Sequence, residues 1–337
     1  MDIVVLNQTD LRKMLTIGEV IEDVRESYRF KALGQTATWP LVSYDFIEQN
    51  AVMDIRSGYL QGRMVHGLKM LNNFPHNREK GLPHFTGMLM VFDSETGLPS
   101  GILDASFITC MRTGAAGALG AFYLSKKEAE NLLIVGAGNQ ALYLCAATLS
   151  LLPNIKNVTI IDPVSHSQAE QFVSRIGKQL TDSFGMDIRS TRFSASSSME
   201  DAVKNSHIIL TATPSRSPLI NKVWVQPGTH FSCIGADMEG KEEIDPEIFR
   251  DAIVFTDDLD QCTRVGELEI PLEKGIIRKD DIGGEIGELI AGTKQGRKSP
   301  NDITIFDATG LAILDLAVAK SALTKAKESG TGQTVSI

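Results

Sequence analysis

Apolar and polar residues follow different periods in different parts of the chain. From Ile17 to Tyr28 the apolar positions recur every three or four residues, and Gly34 follows. This spacing predicts an amphipathic helix that ends at the glycine. Between residues 41 and 93, short alternating segments are separated by turn signals, a pattern typical of antiparallel strands. The N-terminal third is therefore expected to contain a helix and an antiparallel sheet or open barrel.

The pattern changes after residue 104. Residues 104–123 are rich in alanine and glycine and predict a helix that another backbone can approach closely. Short apolar runs then alternate with amphipathic helical stretches, and these runs lie at 132–135, 158–161, 207–211, 231–234 and 252–256. Such strands belong to a parallel sheet that helices cover on both faces. A strand in ITIFDATG and a helix at 311–326 follow, and the tail after them is expected to be loosely ordered or bound in a dimer.

The strongest motif is NLLIVGAGNQA, at residues 131–141. An apolar strand runs into Gly136 and Gly138, Ala141 takes the third small position of a G-x-G-x-x-G/A loop, and a helix follows. Glycines let backbone N–H groups approach a diphosphate, and the helix N-terminus adds partial positive charge. The motif predicts a dinucleotide site. A glycine-rich turn in an ordinary α/β domain is the alternative interpretation.

Asp162 identifies the cofactor that this loop would take. It follows a second strand, NVTII, and lies 24 positions after Gly138, close to the spacing of a carboxylate that binds the adenosine ribose hydroxyls. A carboxylate there repels a 2′-phosphate. The next three residues include no arginine, and His166 is the only nearby candidate to hold a phosphate. We therefore expect NAD rather than NADP.

Composition and charge exclude several classes of function. The net charge of −9 and the isoelectric point near 5.3 argue against a nucleic-acid or anionic-membrane partner. No apolar run approaches the ~20 residues of a membrane span. The N-terminus carries an acid where a signal peptide would be positive, and the four cysteines show no C-x-x-C pair, so we expect a cytoplasmic protein with reduced thiols. The histidines have no metal-ligand spacing, and we expect no metal.

Several blocks together resemble the ornithine cyclodeaminase/μ-crystallin family. They are HGLKML, ITCMRTGAAGALGA, IVGAGNQA, PGTHFSCIGADMEGKEEIDP and FDATGLAILDLAVA, in the family's order, and the resemblance covers residues 15 to 322. It implies hydride exchange between nicotinamide and the α-carbon of an amino acid or its imine, and a homodimer. Cyclodeaminases, alanine dehydrogenases, ketimine and iminosuccinate reductases and a hormone-binding protein share these motifs, so the substrate is much less defined than the family.

The expected fold is α/β. A Rossmann-type NAD-binding domain, residues 119–311, is inserted into an α+β substrate-binding and dimerisation domain. That second domain comprises residues 1–118 and 312–337 and would form the dimer.

Three charged residues are the main candidates for the chemistry. Lys69 lies in an apolar segment, where burial would lower the pKa of its ammonium and suit it to acid/base work; a lysine that snorkels from a strand is the alternative. Arg112 lies in the small-residue helix and would hold a carboxylate bidentately, or form an internal salt bridge. Asp237 follows a strand at the edge where α/β ligands bind, or caps the next turn. The resemblance makes Lys69 and Arg112 the substrate-carboxylate residues, with Arg112 also touching the cofactor, and makes Asp237 the catalytic acid/base.

Further contacts are expected from the glycine-rich loop, the ends of the predicted strands and the family blocks. The residues expected to touch the cofactor are Gly136, Gly138, Asn139 and Gln140 through the loop, Asp162, Thr86, Thr211, Thr213, Lys241 and Asp307. Thr309 is expected to border the substrate.

The sequence departs from the family pattern at two places. Where many members carry an arginine in a P-x-R triplet, WPLV offers Val42. We hypothesise that Arg56 replaces this anion contact; a solvent-facing strand arginine is the alternative. His84 stands where many members carry threonine, as in a subgroup that includes iminosuccinate reductases, and would hook the substrate or shuttle a proton.

Three functions are compatible with these residues. The first, which His84 favours, is an NAD-dependent oxidoreductase that acts on the C–N bond of a small amino acid or reduces the corresponding imine. The second is an ornithine or lysine cyclodeaminase, a lyase that uses NAD catalytically and needs an acid for a distal ammonium. The third is a non-catalytic small-molecule binder, which would have no need for Lys69, Arg112 and Asp237 together.

Overall fold

The structure is a computed structural model that describes residues 1–337. Its strands are β1 (Asp2–Leu6), β2 (Thr36–Thr38), β3 (Val42–Phe46), β4 (Ala51–Leu60), β5 (Val65–Asn73), β6 (Phe85–Asp93), β7 (Pro99–Asp104), β8 (Asn131–Val135), β9 (Asn157–Ile161), β10 (Arg192–Ala195), β11 (Ile208–Thr211), β12 (Arg216–Ile220), β13 (His230–Cys233), β14 (Glu242–Ile244), β15 (Ala252–Thr256), β16 (Gly284–Glu285), β17 (Ile303–Asp307) and β18 (Gln333–Ser336). Its helices are α1 (Gln8–Met14), α2 (Ile17–Ala32), α3 (Ala105–Leu124), α4 (Asn139–Leu151), α5 (His166–Phe184), α6 (Met199–Lys204), α7 (Leu259–Val265), α8 (Glu269–Glu273), α9 (Ile286–Ile290) and α10 (Ala312–Ser329). No helix is both long and apolar enough to cross a membrane.

The chain divides into two compact units. Unit 1 contains Met1–Arg112 and Leu311–Ile337, and unit 2 contains Thr113–Gly310. The second boundary lies one residue from the predicted one. The first lies six residues before the predicted position, because the division falls inside α3 rather than near its end.

Unit 1 is built on one sheet with the order β18-β1-β7-β6-β5-β4-β2, and β3 pairs with β4. The pairs from β2 to β7 are antiparallel, as the alternating pattern predicted, whereas β1 and β7 are parallel. In β5 the side chains of Val65 and Lys69 are buried, and those of His66, Leu68 and Met70 are half-exposed. A Cβ on Gly67 would meet Leu316 of α10, so α10 covers the face that carries Lys69.

The C-terminal tail is ordered within unit 1. Strand β18 pairs antiparallel with β1, from Asp2 opposite Ser336 to Val5 opposite Gln333. The expectation of a loosely ordered tail is therefore wrong, because the edge N–H and C=O groups of β1 bind the chain's own end; the alternative of a dimer-bound tail stays a prediction.

Unit 2 contains the predicted parallel sheet. Its strand order is β10-β9-β8-β11-β13-β17-β15-β16, and all neighbours run parallel. The chain goes from β8 to β9 on one side and later to β11 on the other, so the order reverses beside β8. Ligands of open α/β sheets bind at the carboxyl ends of strands at such a reversal.

The small residues of α3 allow the close backbone approach that the sequence predicted. A Cβ on Gly114 would lie 2.5 Å from the carbonyl oxygen of Tyr143 in α4. Only glycine permits this contact, and it packs the second half of α3 directly against the helix that follows the glycine-rich loop.

Candidate active site

Lys69, Arg112 and Asp315 form one buried cluster in unit 1. The Nζ of Lys69 donates to Oδ2 of Asp315 at 2.8 Å and to the hydroxyl of Thr109 at 3.3 Å. The Nε of Arg112 donates to the other oxygen, Oδ1 of Asp315, at 3.2 Å. Lys69 is 1% exposed and Asp315 is 0% exposed. A single carboxylate on α10 therefore holds both predicted substrate-binding cations.

Burial and neighbouring charge tune the ionisation of Lys69. Desolvation, and after it the charges of Arg112 and Arg56, lower the pKa of Lys69; Asp315 opposes them, and the net result is a pKa of about 7. Burial opposes the ionisation of Asp315, but Arg112 and Lys69 outweigh burial and hold its pKa below the usual value. At neutral pH the Lys69 nitrogen thus exchanges between ammonium and amine, which suits a proton donor and acceptor.

Arg56 lies directly opposite Lys69. The two residues are cross-strand partners in β4 and β5, so their side chains leave the same face of the sheet. The charge of Arg56 lowers the pKa of both Lys69 and Asp315. The register places Arg56 beside Lys69, whereas its role as the replacement anion contact stays a prediction.

Two predicted site residues do not join this cluster. Thr86 pairs with Asn72 in β6 and β5, and this register directs its side chain to the face opposite Lys69. His84 lies before β6, and its Nε2 is 2.9 Å from the terminal nitrogen of Arg78. Burial and the charge of Arg78 lower the pKa of His84, so its ring accepts that hydrogen bond in the neutral state. Neither residue contacts the Lys69 cluster, and their predicted contacts with cofactor and substrate stay predictions.

The glycine-rich loop of unit 2 has the geometry that a diphosphate requires. Gly136 has φ +105°, and a Cβ there would lie 2.8 Å from the carbonyl oxygen of Ala212. Gly138 precedes α4, is exposed, and a Cβ on it would meet nothing within 4 Å. No side chain caps the first turn of α4, where exposed Asn139 and half-buried Gln140 stand. Amide donors and open space therefore coincide at a helix N-terminus.

Asp162 is fixed at the end of β9 beside this loop. Its Oδ2 accepts the N–H of Ala137 at 3.1 Å, and its Oδ1 accepts the N–H groups of Val164 and Ser165 at 3.1 and 3.0 Å. A carboxylate has about four acceptor positions. Asp162 therefore holds the loop in place and keeps capacity for a ribose hydroxyl.

Asp237 follows β13 and forms an ion pair with Lys241. The Lys241 Nζ lies 2.5 Å from Oδ1 of Asp237 and donates to the carbonyl of Gly235 at 3.4 Å. The Asp237 side chain is 41% exposed, so its second oxygen is accessible. Lys241, which was expected to contact the cofactor, holds the loop that presents Asp237.

Glu243 ties together the loops that follow β11 and β13. Its Oε2 accepts the hydroxyl of Thr211 at 2.6 Å and the N–H of Gly235 at 2.9 Å. Its Oε1 accepts the N–H and the hydroxyl of Thr213, both at 2.7 Å. Both threonine hydroxyls therefore donate to a buried acid, and the contact of Thr211 and Thr213 with a cofactor stays a prediction.

Three more buried acids of unit 2 accept hydrogen bonds from backbone N–H groups, one of them from that of Glu243. Glu267 accepts the N–H of Glu243 at 2.7 Å, and Asp307 accepts the N–H of Leu268 at 3.1 Å. Asp257 accepts the N–H of Gly310 at 2.7 Å. One oxygen each of Glu267 and Asp307 is buried without a partner, as expected of a protonated carboxyl.

The predicted contacts of Asp307 and Thr309 stay predictions. The Asp307 carboxyl is fully buried. The Thr309 hydroxyl donates to Asp257 at 3.2 Å and accepts from Gln261 at 2.8 Å, so it is engaged inside unit 2. No group of His, Cys, Asp and Glu side chains is arranged to hold a metal ion.

These motifs and this fold match known proteins. The model of the ornithine cyclodeaminase/mu-crystallin family matches residues 1–330. The chain belongs to this family. The match covers all of unit 2 and all of unit 1 up to residue 330, so the resemblance drawn from the sequence blocks is confirmed.

Three solved structures of the family align over almost the whole chain. An archaeal alanine dehydrogenase dimer with bound NAD is 35% identical, with a TM-score of 0.91 and coverage of 100% of both chains. The Δ1-pyrroline-2-carboxylate reductase of Thermococcus litoralis, in complex with NADH and L-proline, is 29% identical, with a TM-score of 0.91 and coverage of 99% and 100%. The iminosuccinate reductase of Paracoccus denitrificans, in complex with NAD+, is 27% identical, with a TM-score of 0.89 and full coverage of both chains. The predicted fold is confirmed.

The sequence interpretation missed two acids that organise the site. Asp315 lies in the apolar run LAILDLAVA, and the argument that singled out Lys69 in its apolar segment applies equally to this acid. Glu243 was noted in its block but received no role. Its signal was weaker, because an acid in a mixed loop such as GKEEID does not stand out by polarity.

The raised pKa of Asp307 predicts a pH-dependent stability. Burial and then the neighbouring Asp257 raise the pKa of Asp307 from 3.8 to about 8. Between these values the folded protein keeps a proton that the unfolded chain releases, so this contribution to the free energy of unfolding falls as pH rises. Asp307→Asn removes it. The Tm of the variant minus that of the wild type should increase between pH 5 and pH 9, by at least about 2 °C.

The control is Asp187→Asn in the same unit. Asp187 is exposed, and its hydrogen bonds with Arg189 lower its pKa to about 2, below the range of the experiment. Its Tm difference should stay constant by scanning calorimetry. A difference for Asp307→Asn that is equally flat would contradict the assignment of a protonated Asp307.

Proposed function

We propose that this protein is an NAD-dependent oxidoreductase that acts on the C–N bond of a small amino acid or reduces the corresponding imine. The observation that carries the proposal is the buried cluster of Lys69, Arg112 and Asp315 with Arg56 beside it. A cluster with more cations than carboxylates requires an anion, and an α-carboxylate has the right charge and shape. The alanine dehydrogenase and the two reductases described above support this chemistry.

NAD fits the residues of unit 2. The loop at Gly136 and Gly138 offers amide donors and space for the diphosphate, and Asp162 offers acceptors to the adenosine ribose while it repels a 2′-phosphate. The bound cofactor supplies hydride transfer between its nicotinamide ring and the substrate α-carbon. The buried acids fix the ends of the neighbouring strands, so the walls of the crevice are preorganised.

Unit 1 binds the substrate carboxylate. Arg112 uses only its Nε for Asp315, which leaves the end of the guanidinium for a bidentate contact. Lys69 uses two of its three donors for Asp315 and Thr109, and the third is directed to the substrate. With a pKa of about 7, Lys69 also moves a proton to or from the substrate during turnover.

Asp237 manages the proton at the substrate nitrogen. Its second oxygen either accepts a proton from the substrate ammonium before hydride loss or, as part of the carboxylate, stabilises the positive charge that develops on the iminium. Lys241 orients Asp237 through the 2.5 Å contact.

The cyclodeaminase alternative fits the Lys69 cluster less well. Such an enzyme needs an acid that pairs with a distal ammonium of ornithine or lysine. The carboxylate of the cluster, Asp315, is already shared by Lys69 and Arg112, and Arg56 adds positive charge beside it. A diamine substrate would meet repulsion there.

We also propose a cytoplasmic homodimer. All four cysteines are free thiols, as a reducing compartment favours. The sheet face opposite Lys69 is apolar and uncovered: Val42, Ile55, Met70 and Met88 lie in one cross-strand row, and Met88 is 58% exposed. The archaeal alanine dehydrogenase is a dimer, and we assign this face to a second copy of the chain.

The dimer prediction is tested by sedimentation. The wild type should sediment at about twice 36.7 kDa, whereas Met88→Lys should give monomers because it places a charge in the apolar face. Val223→Lys changes an exposed apolar residue of unit 2 and should remain dimeric. Wild-type monomer, or a Met88→Lys dimer of full stability, would contradict the assignment of this face.

A spectrophotometric screen at 340 nm tests the function. The protein is mixed with NADH, ammonia and 2-oxo acids, or with NADH and cyclic imines, and the reverse panel uses NAD with amino acids. We expect NADH consumption with at least one oxo acid or imine. Ammonia release from ornithine or lysine with no net change in NADH would establish the cyclodeaminase instead. No activity in any of these assays would favour a binder.

Arg56→Ala tests the replaced anion contact. Loss of a charge-assisted hydrogen bond to the substrate should raise KM by about 10- to 100-fold with a smaller change in kcat. Arg29→Ala removes an exposed arginine from α2 of the same unit and should leave KM unchanged. An unchanged KM in Arg56→Ala would show that this arginine does not bind the substrate.

A further inference from the structure

We propose that Asp315 is the positioning residue of the substrate site: from α10 it fixes the directions in which Lys69 and Arg112 present their N–H groups. The proposal rests on the proposed function for its kinetic readout, because it assigns a role to a residue that does not itself bind the substrate. No sequence motif pointed to Asp315, and the structure places it between the two cations.

The two oxygens of the Asp315 carboxylate accept hydrogen bonds from different cations. Oδ2 of Asp315 accepts from Lys69 at 2.8 Å, and Oδ1 accepts from Arg112 at 3.2 Å. The contact with Arg112 is made through Nε, at the side of the guanidinium. An anion that approaches the end of the guanidinium therefore finds both terminal nitrogens in a fixed plane. Rotation of Arg112 would break the contact with Asp315, so the ion pair holds the binding-competent rotamer.

Asp315 is the only polar residue in the segment LAILDLAVA. Its neighbours in α10, Leu314 and Leu316, are fully buried, and a lone carboxylate in such a place is strongly disfavoured. A replacement of the whole cluster by apolar residues would often be as stable as the ion pair. Stability alone therefore does not account for the cluster, whereas binding of a substrate carboxylate does.

The titratable groups that face Lys69 lie on three of the elements packed around it. Arg56 comes from β4, Arg112 and the Cys110 thiol from α3, and Asp315 from α10. Burial raises the pKa of Cys110 to about 11, so this thiol is neutral at physiological pH. In β6 the partner of Lys69 is Leu89, which carries no charge. Asp315 is thus the one anion in this set, and its removal leaves the ammonium of Lys69 among cations.

Asp23 provides a matched control. It is another buried acid of unit 1, it lies 2.7 Å from Arg63, and it accepts the hydroxyl of Ser321 in α10 at 2.9 Å. Asp23 therefore also ties α10 to the rest of the unit through an ion pair. Asp23 has no contact with Lys69 or Arg112. If Asp315 had only a structural role, its substitution should have the same effects as that of Asp23.

The experiment compares Asp315→Asn, Asp315→Glu and Asp23→Asn with the wild type. The first readout is the titration of Lys69 by NMR in protein labelled with ¹³C at the lysine ε-carbon, with the signal assigned by its loss in Lys69→Met. The second readout is kcat/KM against pH, with KM and kcat separated, for a substrate found in the spectrophotometric screen. The NMR titration needs no turnover, so it decides the role of Asp315 toward Lys69 even if the proposed function fails.

In Asp315→Asn we expect the midpoint of Lys69 to fall by about one pH unit or more, because the ammonium loses its only adjacent anion. The limb of the kcat/KM profile that reports Lys69 should move to lower pH by the same amount. KM should rise at least about tenfold as Arg112 loses its fixed plane. Asp23→Asn should shift neither the midpoint nor KM, although it lowers the Tm.

Asp315→Glu keeps the proposal testable if the asparagine variant does not fold. The glutamate retains the charge but moves it by one methylene, so the midpoint of Lys69 should stay near the wild-type value while KM rises. An unchanged KM in Asp315→Glu, or an unchanged Lys69 midpoint in Asp315→Asn, would overturn the positioning role. So would an Asp23→Asn variant whose midpoint and KM move by the same amounts.

Discussion

The cost of burying charge is the constraint on which unit 1 depends. Lys69 of β5 and Asp315 of α10 have no access to water, and an isolated charge is strongly disfavoured in such surroundings. Their 2.8 Å contact, shared with Arg112, brings two cations to one carboxylate. In our proposal a substrate carboxylate balances this charge, so the electrostatics of the cluster also select its ligand.

Unit 2 instead buries a group of acidic side chains, and these have a different role. Glu243, Glu267, Asp307 and Asp257 are fully buried, and they accept backbone N–H groups from the loops after the central strands. Burial raises the pKa of Asp307 and Glu267, so protonation relieves the repulsion among them. These acids make the loops rigid, and the amides at the start of α4 are left to the cofactor. Rigid walls reduce the reorganisation that hydride transfer would otherwise require.

The sequence predicted most of what depends on local pattern. The parallel strands of unit 2, the glycine-rich loop and the close approach at Gly114 all follow from period and residue size. The side-chain partners were less predictable, because they depend on tertiary contacts. Thr211 was expected to touch a cofactor, but Glu243, far along the chain, takes its hydroxyl. Thr86 was placed by its block alone, whereas strand register decides which face a side chain occupies.

The most direct test of the central claim follows the hydride itself. NADH deuterated at C4 of the nicotinamide is supplied with ammonia and the oxo acid, or with the imine, that the protein turns over, and the product is analysed by NMR and mass spectrometry. The account predicts deuterium on the α-carbon of an amino acid. Deuterium in a 2-hydroxy acid would contradict the account, because the hydride would then have reduced a C=O bond and the carboxylate cluster would serve a different reaction.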